Sequence, residues 1–275
     1  MLLSLRETIE KHGLLASKAL GQNFLLDRNI TDKIIRLSLS KQGLPSFSGI
    51  NLCEIGPGPG GLTRAVLEET PNSLTVIEMD ERCIAIMEEL KNEYPEIPFR
   101  IINGDAMTFD LSQEIKEPRQ IVSNLPYNVS VPLLTGWLHQ VKSYQAMTLM
   151  FQKEVAERIC APTRCKDYGR LSVLAQLTCN IRKLMDLPPE CFTPAPKIWS
   201  TVLLFTPKAD APSADILGKV EKITALAFGQ RRKMLRQSLK SMPKLLDICQ
   251  QEGVELTARA EELPPETYLK LAHLL

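Results

Sequence analysis

Apolar residues in this chain fall into two alternating patterns. Short apolar runs occupy Ile50 to Ile55 (interrupted by Asn51 and Glu54), Leu74 to Ile77, Phe99 to Ile102, Ile121-Val122 and Ala146 to Phe151. Their length and their bounding turn residues read as buried strands. Helix-spaced stretches lie among them. Asn29 to Leu39 puts Ile30, Ile34, Ile35 and Leu37 on one side, and Leu62 to Glu69 and Glu81 to Tyr94 are also amphipathic. Strands that alternate with helices in this way predict an α/β fold, a parallel sheet with helices on both faces. Glu154 to Ala161 and Leu171 to Leu177 read as further helices, and Ile181 to Leu184 and Thr201 to Phe205 as two further strands. Thr206 to Pro212 is a proline-containing linker, and beyond Ser213 the pattern is helical with no strand-like run. The expected organisation is an α/β domain over residues 1–207 and a small helical domain over residues 208–275. Residues 1–20 read as a weak helix and a basic lead-in.

Composition adds little to that outline. The chain has 275 residues, 44% hydrophobic and 24% charged, which is ordinary for a globular protein with a sizeable core. No apolar run approaches a membrane span, and Met1 to Glu10 does not read as a signal peptide. The 7 cysteines are an odd number without a C-x-x-C pair. Free thiols in a reducing cytoplasm, and no metal site, are the expectation.

Charge changes the picture more. The formal net charge is only +1, but Lys219 to Lys244 holds eight basic residues and one acid, Glu221. After Lys244 the chain turns acidic. Phe228 to Met242 reads as an amphipathic helix, with Phe228, Leu235, Leu239 and Met242 on one face and Arg232, Arg236 and Lys240 on another. A local basic stripe is the electrostatic footprint of a nucleic-acid partner, and a solvated basic helix face would look the same. Arg231, Arg232, Lys233, Arg236 and Lys240 are the candidate RNA contacts, and Arg164, Lys166 and Arg170 would extend that surface.

The first strand runs into Gly56-Pro57-Gly58-Pro59-Gly60-Gly61 and then a helix, with Glu78 about 20 residues on at the end of the second strand. Glycines let the backbone approach a ligand, and a carboxylate accepts from ribose hydroxyls. A nicotinamide or flavin dinucleotide, S-adenosylmethionine and a purely structural turn all remain open on this loop alone. Glu54 lies two residues before the first glycine, Glu78 ends the second strand and Asp105 follows the third, and together they suit a ligand carrying a sulfonium and an ammonium better than a pyrophosphate. Gln22 and Asn23, flanked by Gly21 and Phe24, read either as a capped turn or as a small lid over that ligand.

The fourth strand ends in Ser123-Asn124-Leu125-Pro126-Tyr127. Ligands of open α/β sheets sit outside the carboxyl ends of the strands. An adenine amino group is a poor nucleophile because its lone pair is delocalised into the ring. Two acceptors aimed at its N–H bonds favour the pyramidal geometry needed for methylation. The Asn124 side-chain oxygen and the Leu125 carbonyl, positioned by Pro126, are the candidate acceptors, and Tyr127 offers a stacking face. In isolation the same tetrapeptide is an ordinary Asn-x-Pro turn.

These stretches, together with Gly21-Gln22-Asn23-Phe24-Leu25, Gly104-Asp105-Ala106-Met107, Gln152-Lys153-Glu154-Val155, Tyr168-Gly169-Arg170-Leu171-Ser172, Phe192-Thr193-Pro194 and Phe228-Gly229-Gln230-Arg231-Arg232-Lys233, carry a resemblance. The chain resembles the ribosomal RNA adenine dimethyltransferases of the KsgA/Erm family, most closely the bacterial KsgA type, along nearly its whole length. The resemblance implies a Rossmann-like methyltransferase domain with a helical C-terminal domain. It implies S-adenosyl-L-methionine as methyl donor, and N6,N6-dimethylation of two adjacent adenosines near the 3′ end of 16S ribosomal RNA. The partner would be the immature 30S subunit, and the enzyme is expected to be a cytoplasmic monomer. Donor-binding positions carried over are Asn23, Leu25, Gly56, Glu78, Asp105 and Asn124. Tyr127 and Phe192 match aromatic residues associated with the target base. An Erm-like activity on large-subunit RNA, and an assembly factor whose binding matters more than its catalysis, are the alternatives. An oxidoreductase would have no use for the Asn124 loop.

Overall fold

The computed structural model describes residues 3–14 and 22–275. Gly21 of the expected lid and residues 15–20 of the expected basic lead-in lie outside the described residues.

In chain order the elements begin with α1 (Leu5–Lys11), β1 (Phe24–Leu25), α2 (Arg28–Gln42), β2 (Asn51–Ile55), α3 (Gly61–Glu68), β3 (Ser73–Glu78), α4 (Glu81–Glu93) and β4 (Phe99–Asn103). They continue with α5 (Leu111–Glu114), β5 (Arg119–Asn124), α6 (Ser130–His139), β6 (Ala146–Gln152), α7 (Lys153–Cys160), α8 (Arg170–Thr178) and β7 (Cys179–Leu187). Last come β8 (Phe192–Thr193), β9 (Ser200–Pro207), α9 (Ala214–Gly229), α10 (Leu235–Ser238), α11 (Pro243–Gln251) and α12 (Pro265–Leu274).

Seven strands form one sheet in the order β4-β3-β2-β5-β6-β9-β7. The five strands read from the apolar runs are its parallel part, and β9 runs antiparallel to β6, with Met150 opposite Val202. The strand order steps outward from β2 in both directions, to β3 on one side and β5 on the other. The carboxyl ends of β2 and β5 therefore lie side by side, at the kind of switch point where α/β sheets hold ligands. The sheet is mixed and the core Rossmann-like. Every residue of β2 is buried, polar Asn51 and Glu54 included. Asn51 is satisfied through Ser73, Asn72 and the Lys116 carbonyl, as a buried amide requires.

The structure departs from the sequence pattern in three ways. α6 contains Pro132 and Gly136 and was not legible as a helix. Pro132 falls in its first turn, where the absent N–H costs nothing. β1 and β8 form a separate antiparallel pair of two residues each, too short to show a period. The expected helix from Phe228 to Met242 is broken. α9 stops at Gly229, a turn follows, and α10 is a single turn. Tertiary backbone hydrogen bonds explain the break: Leu235 N–H donates to Ala258 O (2.9 Å) and Arg236 N–H to Leu256 O (3.0 Å). Arg232, Arg236 and Lys240 are consequently not a stripe on one helix.

The chain divides into two compact units. The first comprises Met1–Leu133, Ser143–Lys153 and Arg182–Thr206; the second comprises Leu134–Lys142, Glu154–Ile181 and Pro207–Leu275. The core of the first gathers Ile34, Ile35 and Leu39 of α2, Leu52 of β2, Leu74 and Val76 of β3 and Ile86, Met87 and Leu90 of α4. In the second, α8, α9 and α12 pack around Tyr168, Phe228 and Tyr268, whose neighbouring ring centroids are 5.9 Å apart. The Tyr168 hydroxyl donates to Leu263 O and the Tyr268 hydroxyl to Ala260 O. Among the described residues no helix is long and apolar enough to cross a membrane, and no cluster of His, Cys, Asp and Glu is placed to hold a metal.

Candidate functional site

A cavity of about 290 Å³ opens at the carboxyl ends of β2, β3 and β5, in the first unit. Its floor is the turn from β2 to α3. Gly56 and Gly58 have φ of +64° and +56°, which side chains with a Cβ rarely adopt. The loop is also tightly packed. A Cβ on Gly58 would lie 3.0 Å from the Phe24 ring, and one on Gly61 would lie 2.3 Å from the Leu25 carbonyl oxygen. The glycines thus do two jobs: they turn the chain, and they let β1 lie directly on the start of α3.

Each acid has a defined place. Glu54 is 2% exposed, lines the cavity, and accepts from the Thr63 hydroxyl at 2.7 Å. Burial pushes its carboxyl up to about 8, against the pull of Thr63, and nearby Glu78 adds to the rise. Glu78 is held at the end of β3 by three backbone donors, Met79 N–H (2.8 Å), Asp80 N–H (2.9 Å) and Gly58 N–H (3.2 Å). Burial raises its pKa and these donors oppose the rise. Asp105 is exposed at the cavity edge, where it accepts from Met107 N–H at 2.9 Å. Asp80, outside the cavity lining, is held down to about 2 by Arg82, and it accepts from Gln22 Nε2 at 2.9 Å, which ties the β1 segment to the end of β3.

Beside the glycine loop stands Asn124-Leu125-Pro126-Tyr127. Two contacts lock the walls together. The Ser123 hydroxyl donates to Ile55 O at 2.7 Å, and Pro126 packs against Gly56, where a Cβ would sit 3.4 Å from the proline ring. Asn124 Nδ2 donates to the Asn23 carbonyl at 3.4 Å, which leaves Oδ1 as the acceptor. The Tyr127 hydroxyl is 2.6 Å from Ser200 Oγ at the start of β9, so its ring is anchored at the far end. Burial pushes the phenol pKa up, and it stays protonated.

The structure brings nearly all the expected site residues to one cavity: Asn23, Leu25, Gly56, Glu78, Asp105, Asn124, Leu125, Pro126 and Tyr127 line it. Phe192 does not. It is 3% exposed in the core and pairs with Leu25, so it backs the β1 segment instead of facing the cavity. Met79, Ala106 and Leu133, none of them among the expected site residues, also line the cavity. Met79 and Ala106 directly follow the expected acids Glu78 and Asp105, whereas nothing in the sequence marks Leu133.

The basic residues are in the second unit. Arg232, Lys233, Arg236 and Lys240 are exposed. Arg231 differs. Its guanidinium pairs with Glu261 at 3.0 Å and donates to the Tyr168 carbonyl at 2.7 Å, so it ties the turn after α9 to neighbouring loops.

The lining residues fit S-adenosylmethionine. The positive-φ glycines bring backbone to the cavity, Glu78 and Asp105 offer acceptors, and the exposed Met79 offers an apolar face beside Glu78. The chain matches the family described as ribosomal RNA adenine dimethylase over residues 13–275. A Paramagnetospirillum magneticum protein named ribosomal RNA small subunit methyltransferase A is 45% identical over 271 residues, 98% of this chain and 94% of that one. A protein of the same name from a Chelativorans species is 46% identical over 277 residues, covering 98% and 96%. Among solved structures, a dimethyladenosine transferase from Plasmodium falciparum superposes with a TM-score of 0.74 at 24% identity, covering 89% of this chain and 94% of that one. The 23S rRNA methyltransferase ErmE gives 0.65 at 22%, covering 91% and 98%. Those two likenesses speak to the fold. Matched over all but its first residues, with relatives at this identity along nearly their full length, the chain belongs to the ribosomal RNA adenine dimethylase family.

Proposed function

We propose that this enzyme dimethylates the N6 amino groups of two adjacent adenosines near the 3′ end of small-subunit ribosomal RNA, with S-adenosylmethionine as donor, during late assembly of the small subunit. The observation that carries the reading is the Asn124 amide. Its nitrogen is committed to the Asn23 carbonyl, so its oxygen is the acceptor, in the cavity that the glycine loop also lines.

Bound in the cavity, the donor supplies an electrophilic methyl group on a sulfonium. Gly56, Glu78 and Asp105 are the residues that would hold it, with the buried carboxyl of Glu54, protonated in the donor-free fold, beside them and drawn toward ionisation by a bound cation. The chain's own part is to prepare the amine. Asn124 Oδ1 and the Leu125 carbonyl accept from the two N–H bonds of the adenine amino group and favour its pyramidal form, in which the lone pair is localised on nitrogen and no longer conjugated with the ring. Tyr127, fixed by Ser200, stacks the base and limits its motion, so that reaction follows from proximity. No strong base is needed, because the ammonium formed on methylation is acidic and its proton passes to water. The exposed Arg232, Lys233, Arg236 and Lys240 contact phosphates and position the RNA.

The test is transfer of labelled methyl to unmethylated small subunits, with large subunits in parallel, followed by digestion to nucleosides. Dimethyladenosine from the small subunit alone is the expected result. Label only in the large subunit would overturn the choice of substrate, and no label in either would overturn the reading.

A further inference from the structure

Methylating an exocyclic amine requires the base to leave its stack, and the neighbouring bases then lose a partner. An exposed aromatic ring close to the cavity is what would replace that partner. Trp199 does not line the cavity, but it stands at the edge of the sheet on which the cavity opens, where the start of β9 meets the carboxyl end of β6. It is 47% exposed, with Ile198 exposed beside it, and it stands where the chain enters β9. Its backbone is fixed, since the Trp199 carbonyl accepts from Lys153 N–H at 2.9 Å. The next residue, Ser200, is buried and holds the hydroxyl of cavity-lining Tyr127. Trp199 is therefore one residue from the hydrogen bond that anchors the ring expected to stack the target.

The charge around Trp199 has the sign a phosphate chain needs. Lys153 Nζ lies 5.6 Å from the centroid of the indole, a cation–π contact. Asp186 is shared by two ammonium groups, 4.0 Å from Lys153 Nζ and 2.6 Å from Lys183 Nζ. Lys197 is exposed and makes no ion pair among the described residues. An aromatic face flanked by lysines is the combination by which proteins hold single-stranded nucleic acid.

We propose that Trp199 is the stacking platform for an unpaired nucleobase of the substrate RNA that flanks the target adenosine, with Lys153 and Lys197 against the adjoining phosphates. The proposal rests on the RNA-methylating reading of the cavity and extends that site outward by one nucleotide.

The chain has 2 tryptophans, and the other, Trp137, is 6% exposed, so quenching of the exposed indole reports stacking directly. Wild type, Trp199→Ala and Trp199→Phe would be titrated with short single-stranded RNA containing the target adenosines, intact or with an abasic residue beside the target. Methyl transfer to unmethylated small subunits would be measured on the same proteins. RNA should quench the wild-type fluorescence. Trp199→Ala should weaken RNA binding and raise the KM for RNA about 5- to 100-fold, the loss of one stacked base. Its kcat at saturation and its donor affinity by calorimetry should be unchanged, and Trp199→Phe should recover most of the loss. The abasic RNA should penalise wild type but not Trp199→Ala. If wild type methylates the RNA and Trp199→Ala binds it equally well, the platform is overturned and the patch is assigned to a protein contact. Parallel loss of donor affinity and RNA affinity would overturn it as a structural role. If wild type methylates no small-subunit RNA, the reading of the cavity fails, and the platform with it.

Discussion

Glu54 is a carboxyl group buried against its own interest. Its pKa is about 8 in the fold and near 4.5 when the chain is unfolded, so between those values the unfolded state is ionised while the folded state keeps its proton. Folding stability is therefore fully present below about pH 4.5 and declines as pH rises toward 8, by an amount on the order of a few kcal/mol. Thermal unfolding of donor-free protein across that range should show the decline, and Glu54→Gln should flatten it. A flat profile in wild type would mean that Glu54 is not buried as described. At Asn124 the expectation is chemical. Asn124→Ala keeps the walls of the cavity but loses the acceptor oxygen, so it should bind donor normally and transfer methyl about 100-fold or more slowly. Unchanged turnover would remove its role in holding the amine. The identities of these residues were legible in the sequence because each ends a strand or follows one. Their partners were not: Asn23 lies 101 residues from Asn124, and Ser200 lies 73 from Tyr127. Spacing along a chain does not report on contacts made through the fold.

At the scale of elements, the turn from β2 to α3 does the positioning. Gly61→Ala would place a methyl group 2.3 Å from the Leu25 carbonyl, against backbone that cannot rotate away. It should destabilise the fold by about 1–3 kcal/mol in denaturant titration and weaken donor binding as β1 is pushed outward. Gly136→Ala is the contrasting case. Gly136 is exposed within α6 with nothing near its Cβ position, so alanine should stabilise by about 0.5–1 kcal/mol and leave donor binding alone. The difference also explains what the pattern of apolar positions revealed. Strands buried along all or nearly all of their length, such as β2 and β6, announce themselves as apolar runs. The stretch from Phe228 to Met242 has helical spacing, yet Leu235 and Arg236 give their N–H groups to residues 258 and 256. Periodicity describes which side chains are buried, and it says nothing about where the backbone finds its acceptors.

For the whole molecule, a net charge of +1 conceals a division of labour. The acids that ring the cavity belong to the first unit, and the exposed run Arg232, Lys233, Arg236 and Lys240 belongs to the second. Reversing Arg232 and Arg236 together should weaken RNA binding, with the loss greatest at low salt, and reduce the dependence of log K on log salt by about 1–2. Donor binding should be unaffected. Equal losses of RNA and donor would show misfolding instead. Arg231→Met should act differently: with its tie to Glu261 and the Tyr168 carbonyl removed, it should lower thermal stability with little change in the salt slope. The carbonyl that steadies Asn124 has a consequence at this scale too. It belongs to Asn23, one residue ahead of β1, a strand of two residues paired with another of the same length. Pairing that brief is weak in isolation, and β1 keeps its place through burial, with Phe24 and Leu25 in the core, and through the bond from Gln22 to Asp80. The aim of the amide therefore depends on how well two apolar side chains are packed.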